Sequence, residues 1–218
     1  MNQSPPPETD LRKWLAGILC SIYKELPDEP VWQWAERTIT LGGKESIEHS
    51  GPYDSSLTPY TRWLMEQFRD NSVREFFLAK SSQTGVTLAL LIGLAYTVVH
   101  NPRNAIYAIN SREEAKKISK QRIQPMLRDC GDTKHIVAKE EAADNMSNIT
   151  MHLGPMVLHL IGAFTAGPFR NKSVAWGILD EYDAHPENIE GEGSSLDLLR
   201  SRLKAVRNSK LFCLSKPT

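Results

Sequence analysis

The segment of residues 73–109 constrains the fold more than any other part of the chain, because it places a long apolar helix between two short apolar strands. Residues 73–80 and 105–109 are short, rich in apolar and aromatic residues and bounded by polar ones, which predicts strands. Residues 86–100 are almost continuously apolar, which predicts a buried helix. A strand, a helix and a second strand in this order are typical of a crossover between parallel strands.

The alternation of helix and strand continues towards the end of the chain. Residues 111–128 predict a helix that begins with Ser111 as its cap and has Glu114 three residues on, and residues 195–207 predict another. Further apolar runs predict strands at residues 149–153, 156–163, 174–179 and 210–214. Helices that separate apolar strands predict an α/β fold, with a mainly parallel sheet flanked by helices in three layers.

The amino-terminal part of the chain differs from this pattern. Three consecutive prolines predict a disordered leader, and residues 11–26 predict an amphipathic helix that is either a lid packed on the sheet or a partner-binding arm. Shorter helices are predicted at residues 31–36 and 59–69, on either side of a connector at 40–58. The predicted divisions are a leader at 1–8, N-terminal helices and connector at 9–58, and a core domain at 59–218.

Composition excludes several classes of function. The formal net charge is zero, so the overall charge gives no argument that the molecule as a whole binds polyanions. Three widely spaced cysteines argue against a disulfide framework and against a cysteine metal site. No apolar run approaches the roughly 18 residues of a membrane span. We therefore expect a cytosolic protein that is not anchored to a membrane.

The turn between the first strand and the buried helix has the character of a phosphate-binding loop. It consists of Lys80, Ser81, Ser82, Gln83, Thr84, Gly85, Val86 and Thr87. Backbone N–H groups at the start of a helix carry a partial positive charge and hold phosphate oxygens. Against the usual pattern GxxxxGK[ST], Gly85 and Thr87 are in place, but the lysine stands at the front of the loop as Lys80. Taken alone, this match leaves an ordinary polar turn open.

Two carboxylates, Asp180 and Glu181, directly follow the apolar strand at residues 174–179. In a parallel sheet they lie at the same edge as the loop that begins at Lys80. There Asp180 is suited to hold Mg²⁺, and Glu181 is suited to activate the water that attacks a terminal phosphate. Two solvated acids in a turn are the alternative for the pair alone. The order of loop, βα units and acid pair favours a P-loop nucleoside triphosphatase of the recA/ASCE-like type.

Several segments from about Trp32 to the end carry a resemblance to a known family. They are WQWAERTITL, SGPY, LTPYTRWLMEQFRD, VREFFLAKSSQTGVT, AKKISKQRIQPMLRD, FRNKSVAWGILDEYD, GEGSSLDLLRSRLKAV and LFCLSKPT. In these segments the sequence resembles the lambda-like (GpA-type) large terminase subunits of tailed bacteriophages, in which a lysine at the front of the loop is typical. The resemblance implies an ATPase that drives double-stranded DNA into a capsid. It also implies a small terminase subunit and a portal protein as partners, a ring of subunits, and the host cytoplasm as location.

The resemblance also implies roles for matching positions. It makes the loop of residues 80–87 the ATP-binding loop, Thr87 and Asp180 the ligands of Mg²⁺, and Glu181 the catalytic base. Tyr53 or Tyr60 would stack on adenine, with a buried helix aromatic as the alternative for Tyr60.

Three further roles concern the subunit interface, the coupling motif and DNA. Arg170 resembles the position of an arginine finger that reaches a neighbouring subunit, and a surface arginine is the alternative. Ser215 begins the motif that senses the γ-phosphate. Basic side chains either contact DNA backbone phosphates or form a solvated helix face. The candidates for DNA contact are Lys116, Lys120, Arg202 and Arg207.

The chain departs from the family pattern in two respects. Lys216 stands where the coupling motif usually has a hydroxyl residue, and we expect the metal-dependent nuclease domain to be absent. A helicase-type or remodelling ATPase is an alternative function, although it needs a second recA-like domain. A catalytically inert, nucleotide-binding interaction module is another alternative.

Overall fold

A six-stranded sheet forms the centre of the computed structural model, which describes residues 26–42 and 50–216. The strands are β1 (Thr40–Leu41), β2 (Gly51–Pro52), β3 (Glu75–Ala79), β4 (Ala105–Ile109), β5 (Thr150–Leu153), β6 (Met156–Gly162), β7 (Trp176–Leu179) and β8 (Lys210–Ser215). The short strands β1 and β2 pair with each other, and the sheet has the order β3-β8-β7-β4-β6-β5. All its pairs are parallel except β5 with β6, which confirms the predicted mainly parallel sheet.

Helices cover both faces of the sheet. They are α1 (Val31–Thr38), α2 (Thr61–Glu66), α3 (Val86–His100), α4 (Arg112–Ile118), α5 (Gln124–Asp129), α6 (Lys134–Ala142) and α7 (Ser195–Leu203). Residues of α1 to α6 contribute to one buried cluster, and α7 packs in a second cluster with the 3-10 turn Gly167–Phe169. The predicted three-layer architecture is thereby confirmed. None of the helices in the described part of the chain combines the length and the apolar character that crossing a membrane requires.

The apolar helix α3 fixes the phosphate-loop-like turn relative to the sheet. Its residues from Ala89 to Val98 are buried, because α1 and α2 cover the side that does not face the strands. Gly93 permits the close approach of Phe68, two residues after α2, since a Cβ atom at position 93 would clash with the Phe68 ring. That ring in turn stacks on Phe212 of β8, with the ring centroids 4.7 Å apart. Helix, loop and sheet are therefore held in one packed arrangement.

Most predicted elements are confirmed, with some differences at their ends. The predicted bounds of α3 and β4 agree with the structure, and the helix predicted at 111–128 is α4 and α5 joined by a π turn, Ser119–Ile123. The strand predicted from residue 174 begins at Trp176, where its pairing with β4 begins. The helix predicted at 59–69 is shorter, because residues 67–69 form turns with hydrogen bonds to the residue three positions back.

Two parts of the chain differ from the expectation, and a third lies outside the described residues. Helix α6 was not predicted, because Val137 is the one buried residue that it contributes and no apolar face repeats along it. The connector at 40–58 contains β1, β2 and the 3-10 turn Ser55–Leu57 within its described residues. The predicted leader at 1–8 and nearly all of the helix predicted at 11–26 lie outside the described residues.

Candidate functional site

The loop of residues 80–87 and the turn of residues 180–183 lie at the same edge of the sheet. They follow the carboxyl ends of β3 and β7, and β8 lies between these two parallel strands. In the loop, Gln83 and Gly85 have positive φ angles of 60° and 73°, which turn the backbone sharply into α3. The backbone N–H of Lys80 donates to the Ser215 carbonyl at 2.9 Å, which continues the β3–β8 pairing up to the loop.

The side chains of Lys80, Thr87 and Asp180 meet at this edge. The Lys80 ammonium donates to Thr87 Oγ1 at 2.6 Å and pairs with Asp180 Oδ1 at 2.8 Å. Thr87 Oγ1 also donates to Asp180 Oδ2 at 3.3 Å. The side chains of Lys80 and Asp180 are only 11% and 4% exposed, so the pair is largely removed from water. Buried charges are tolerated when they are paired and hydrogen-bonded, as they are here.

A buried tyrosine on the neighbouring strand completes the surroundings of Asp180. The Tyr107 hydroxyl donates to Asp180 Oδ2 at 2.6 Å, and the Glu181 backbone N–H donates to Oδ1 at 3.0 Å. Burial and the nearby negative charge of Asp180 raise the pKa of Tyr107 well above its usual value, so its hydroxyl stays a neutral donor. Sequence reasoning missed Tyr107. The sequence feature that could have indicated it is a single hydroxyl in an otherwise apolar strand. That feature points to Asp180 only when β4 is known to pair with β7.

His185 supports the backbone of the acid turn. Its Nε2 lies 3.0 Å from the Asp180 carbonyl oxygen, and its Nδ1 lies 2.8 Å from Ser195 Oγ. Because a carbonyl can only accept, Nε2 carries the hydrogen and Nδ1 accepts from the serine when the ring is neutral. Burial lowers the pKa of His185, which favours that neutral form. The ring therefore links the end of β7 to the start of α7.

Glu181 and the end of β8 are linked by a separate set of contacts. Glu181 has a left-handed backbone with φ of 55°, and its Oε1 accepts from the Lys216 ammonium at 2.9 Å. Asp183 Oδ1 accepts from the Lys216 backbone N–H at 2.9 Å and from Ser215 Oγ at 3.2 Å. The hydrogen bond from the Lys216 backbone is the largest cause of the lowered pKa of Asp183. Sequence reasoning did not anticipate the contact between Lys216 and Glu181.

The two candidate adenine-binding tyrosines occupy different environments. Tyr60 is 60% exposed, and its hydroxyl donates to the Thr84 carbonyl of the loop at 2.8 Å. Tyr53 is 5% exposed, lies in the main core and hydrogen-bonds through its side chain to Thr61 and Thr58. Burial raises the pKa of Tyr53. The structure thus brings Tyr60 to the loop and leaves Tyr53 in the core.

Arg170 does not join the Lys80–Asp180 group in this structure. It follows the 3-10 turn Gly167–Phe169 between β6 and β7, and its guanidinium pairs with Glu192 on the surface. Its side chain is 52% exposed.

The basic side chains considered for DNA contact are divided between the two faces of the sheet. Lys116 lies on α4 and Lys120 in the π turn, whereas Arg202 lies on α7, which packs in the other core cluster. Arg207 is exposed beyond the end of α7. The structure therefore does not place the four side chains on one surface.

The donor atoms at the edge of the sheet fit a magnesium ion. Thr87 and Asp180 offer a hydroxyl and a carboxylate, and Mg²⁺ prefers such oxygen ligands, retaining waters and binding substrate phosphates at its other positions. Among the described residues, no group of three or more His, Cys, Asp and Glu side chains could hold a metal by itself.

Comparisons with known proteins identify one family. The family model described as phage terminase large subunit gpA, ATPase domain, matches residues 48–218. The large terminase subunit of Escherichia phage lambda is 26% identical over 217 residues, covering 96% of this chain and 33% of that protein. That of Enterobacteria phage P21 is 26% identical over 203 residues, covering 89% and 31%. The chain thus spans about a third of the length of these relatives.

A solved structure has the same fold. The crystal structure of the HK97 bacteriophage large terminase is similar with a TM-score of 0.66 and 16% sequence identity. The similarity covers 88% of this chain and 38% of that one.

Proposed function

The chain belongs to the gpA family of phage terminase large subunits, and we propose that it hydrolyses ATP with Mg²⁺ to drive double-stranded DNA into a capsid. The observation that carries the proposal is the meeting of Lys80, Thr87 and Asp180 at the carboxyl edge of a parallel sheet. An ammonium, a hydroxyl and a carboxylate are the groups that a P-loop triphosphatase brings to a triphosphate and its metal.

Each residue of the loop has a proposed task in binding. Lys80 moves from its carboxylate partner to the β- and γ-phosphates, and the backbone N–H groups of residues 81–86 hold further phosphate oxygens. Thr87 and Asp180 hold Mg²⁺, which neutralises phosphate charge when it is bound. Tyr60 stacks on adenine, because its ring is exposed beside the loop while Tyr53 is buried.

Hydrolysis needs a base and a cation for the developing charge. Glu181 is proposed to orient the attacking water and to accept its proton. Ser215, at the end of β8, is proposed to sense the γ-phosphate, and its hydroxyl donates to Asp183, two residues after Glu181. Arg170 is proposed to serve a neighbouring subunit in a ring, because its side chain is exposed and pairs with Glu192 on the surface. The isolated domain is then expected to hydrolyse ATP slowly.

DNA would be bound through its backbone phosphates, since a packaging motor must act on any sequence. Because the basic candidates are divided between two faces, we propose that one group contacts DNA: Lys116 and Lys120 on one face, or Arg202 and Arg207 on the other. A small terminase subunit and a portal protein are the further proposed partners, and the host cytoplasm is the proposed location.

Nucleotide binding and hydrolysis test this proposal. Lys80→Ala is expected to weaken binding of a fluorescent ATP analogue by roughly 10- to 100-fold, the size of a lost hydrogen bond to a charged group. The control Lys139→Ala, at an exposed position on α6, is expected to bind normally. Glu181→Gln should bind ATP but not hydrolyse it. Equal binding by Lys80→Ala and the original chain would contradict the proposal and favour the inert interaction module.

The motor role is tested separately from the ATPase role. Double-stranded DNA is expected to stimulate ATP hydrolysis, because a translocating motor couples the two. Hydrolysis that responds instead to single-stranded nucleic acid alone would favour a helicase-type or remodelling ATPase.

A further inference from the structure

Lys216 is placed so that its backbone is fixed while its side chain can change partners. It follows β8, the strand between the loop-bearing β3 and the acid-bearing β7. Its backbone N–H donates to Asp183 Oδ1 at 2.9 Å. The ammonium, at the end of a flexible chain, pairs with Glu181 Oε1 at 2.9 Å, and its side chain is 43% exposed. An exposed lysine of this kind exchanges partners easily.

Glu181 is held in a defined position at the other end of this pair. Its backbone has a left-handed φ of 55°, which is unfavourable for a glutamate and is maintained by its surroundings. The Glu181 N–H donates to Asp180 Oδ1, which contributes to that conformation. With the backbone so held, the ion pair with Lys216 directs the carboxylate towards the end of β8.

The phosphate loop lies within the same local arrangement. Ser215, the residue before Lys216, accepts the Lys80 backbone N–H at 2.9 Å, so the end of β8 adjoins the beginning of the loop. Lys80 and Asp180 form a pair that is largely buried, whereas Lys216 and Glu181 are 43% and 33% exposed. Of the two ammonium groups, Lys216 therefore has the pair that is more easily exchanged for a newly bound anion.

We propose that Lys216 is a positioning residue that exchanges Glu181 for the terminal phosphate of a bound nucleoside triphosphate. With the site empty, the Lys216–Glu181 pair restrains the carboxylate. A triphosphate on the loop takes over the ammonium, and the Glu181 carboxylate is then no longer held towards the end of β8. A diphosphate lacks the terminal group and leaves the pair intact. This inference rests on the proposed function, because it requires nucleotide on the loop of residues 80–87.

The first test compares nucleotides that differ by the terminal phosphate. Dissociation constants are measured with Mg²⁺ for ADP and for a non-hydrolysable ATP analogue. Lys216→Met is expected to weaken binding of the analogue by about 10-fold and to leave ADP binding unchanged, and Lys216→Arg is expected to restore the preference. Lys204→Met, at an exposed lysine after α7, is the control and should change neither constant. An equal loss for both nucleotides, or no change for either, would overturn the inference.

A double-mutant cycle tests the exchange itself. Glu181→Gln removes the competing charge, so the analogue is expected to bind severalfold more tightly than to the original chain. In a Lys216→Met background the same change should have no effect, because the ammonium that exchanges is gone. Effects that simply add would show that the two side chains do not compete, and would refute the exchange.

Failure of the inference can be told apart from failure of the proposed function. If the original chain binds neither nucleotide, or if Lys80→Ala leaves binding unchanged, both the proposed function and the exchange are refuted. If binding depends on Lys80 but Lys216→Met leaves the ratio of the two dissociation constants unchanged, only the exchange of partners by Lys216 is refuted.

Discussion

Replacing Tyr107 with phenylalanine is the sharpest perturbation that the site offers. The substitution removes one oxygen atom from a fully buried ring and keeps its shape. That oxygen donates to Asp180 Oδ2 at 2.6 Å, within the range of a strong, charge-assisted hydrogen bond. The change therefore tests whether Tyr107 holds the proposed metal ligand in place.

The expected loss of stability follows from the contacts that remain. Hydrogen bonds to charged groups contribute about 1.5 to 3 kcal/mol. After the substitution Asp180 Oδ2 keeps the donor Thr87 Oγ1 at 3.3 Å, and Oδ1 keeps Lys80 at 2.8 Å. Because this compensation is partial, we expect a loss of about 2 kcal/mol in the free energy of unfolding. For a chain of this size that corresponds to a decrease of roughly 4 to 8 °C in Tm.

The matched control is the second buried tyrosine on the same side of the sheet. Tyr96 of α3 is also fully buried, but among the described residues its hydroxyl has no hydrogen-bond partner. Tyr96→Phe is therefore expected to leave the unfolding free energy unchanged or to raise it slightly, because an unpaired buried hydroxyl is unfavourable. Urea denaturation of both variants measures the two effects under identical conditions.

A functional measurement accompanies the denaturation. If Tyr107 orients Asp180, Tyr107→Phe raises the magnesium concentration needed for half-maximal binding of an ATP analogue, and Tyr96→Phe does not. Equal losses of stability in the two variants, or an unchanged magnesium requirement in Tyr107→Phe, would refute the reasoning.

Two further substitutions test packing and titration. Gly93→Ala should lower the unfolding free energy by about 1 to 3 kcal/mol, because the new methyl group would meet the Phe68 ring. The double variant Gly93→Ala with Phe68→Leu should lose less unfolding free energy than the two single variants lose together, because the smaller side chain makes room for the methyl group. Losses in urea denaturation that simply add would contradict this. Burial, then the nearby positive charge of Lys172, lowers the pKa of His159 to about 4. The unfolding free energy should thus decrease as pH falls from about 6.5 to about 4, where only the unfolded chain takes up this proton. His159→Gln should reduce that decrease, and an unchanged pH dependence would exclude His159 as a cause.

Sequence reasoning predicted best the elements that are buried on all sides, because their continuous apolar runs allow only one interpretation. Helix α3 is apolar on every side and long, and β4 is a short apolar run, so their predicted bounds agree with the structure. Helix α6 shows where apolar periodicity does not reveal a helix. It fully buries Val137, and Ile136 packs against the core only in part, so no apolar period distinguishes it from a polar loop.

The site shows a similar division between what is local and what depends on tertiary contact. That Lys80 and Asp180 lie at one edge follows from the rule that parallel strands end on the same side of a sheet. The sequence could not place β8 between β3 and β7, and the contact of Lys216 with Glu181 depends on that order. The difference between Tyr53 and Tyr60 depends on how α2 packs, which no local pattern reveals.

The position of β8 has a mechanical consequence for a molecule that is proposed to convert hydrolysis into motion. Because β8 hydrogen-bonds to β3 on one side and to β7 on the other, these two strands cannot separate or slide without breaking a ladder. The base of the site is stiff in the plane of the sheet. Any displacement that follows hydrolysis must begin above it, at residues 180–185 and at Lys216, where single side-chain contacts join the parts. Those turns are the places to attach probes of force or distance.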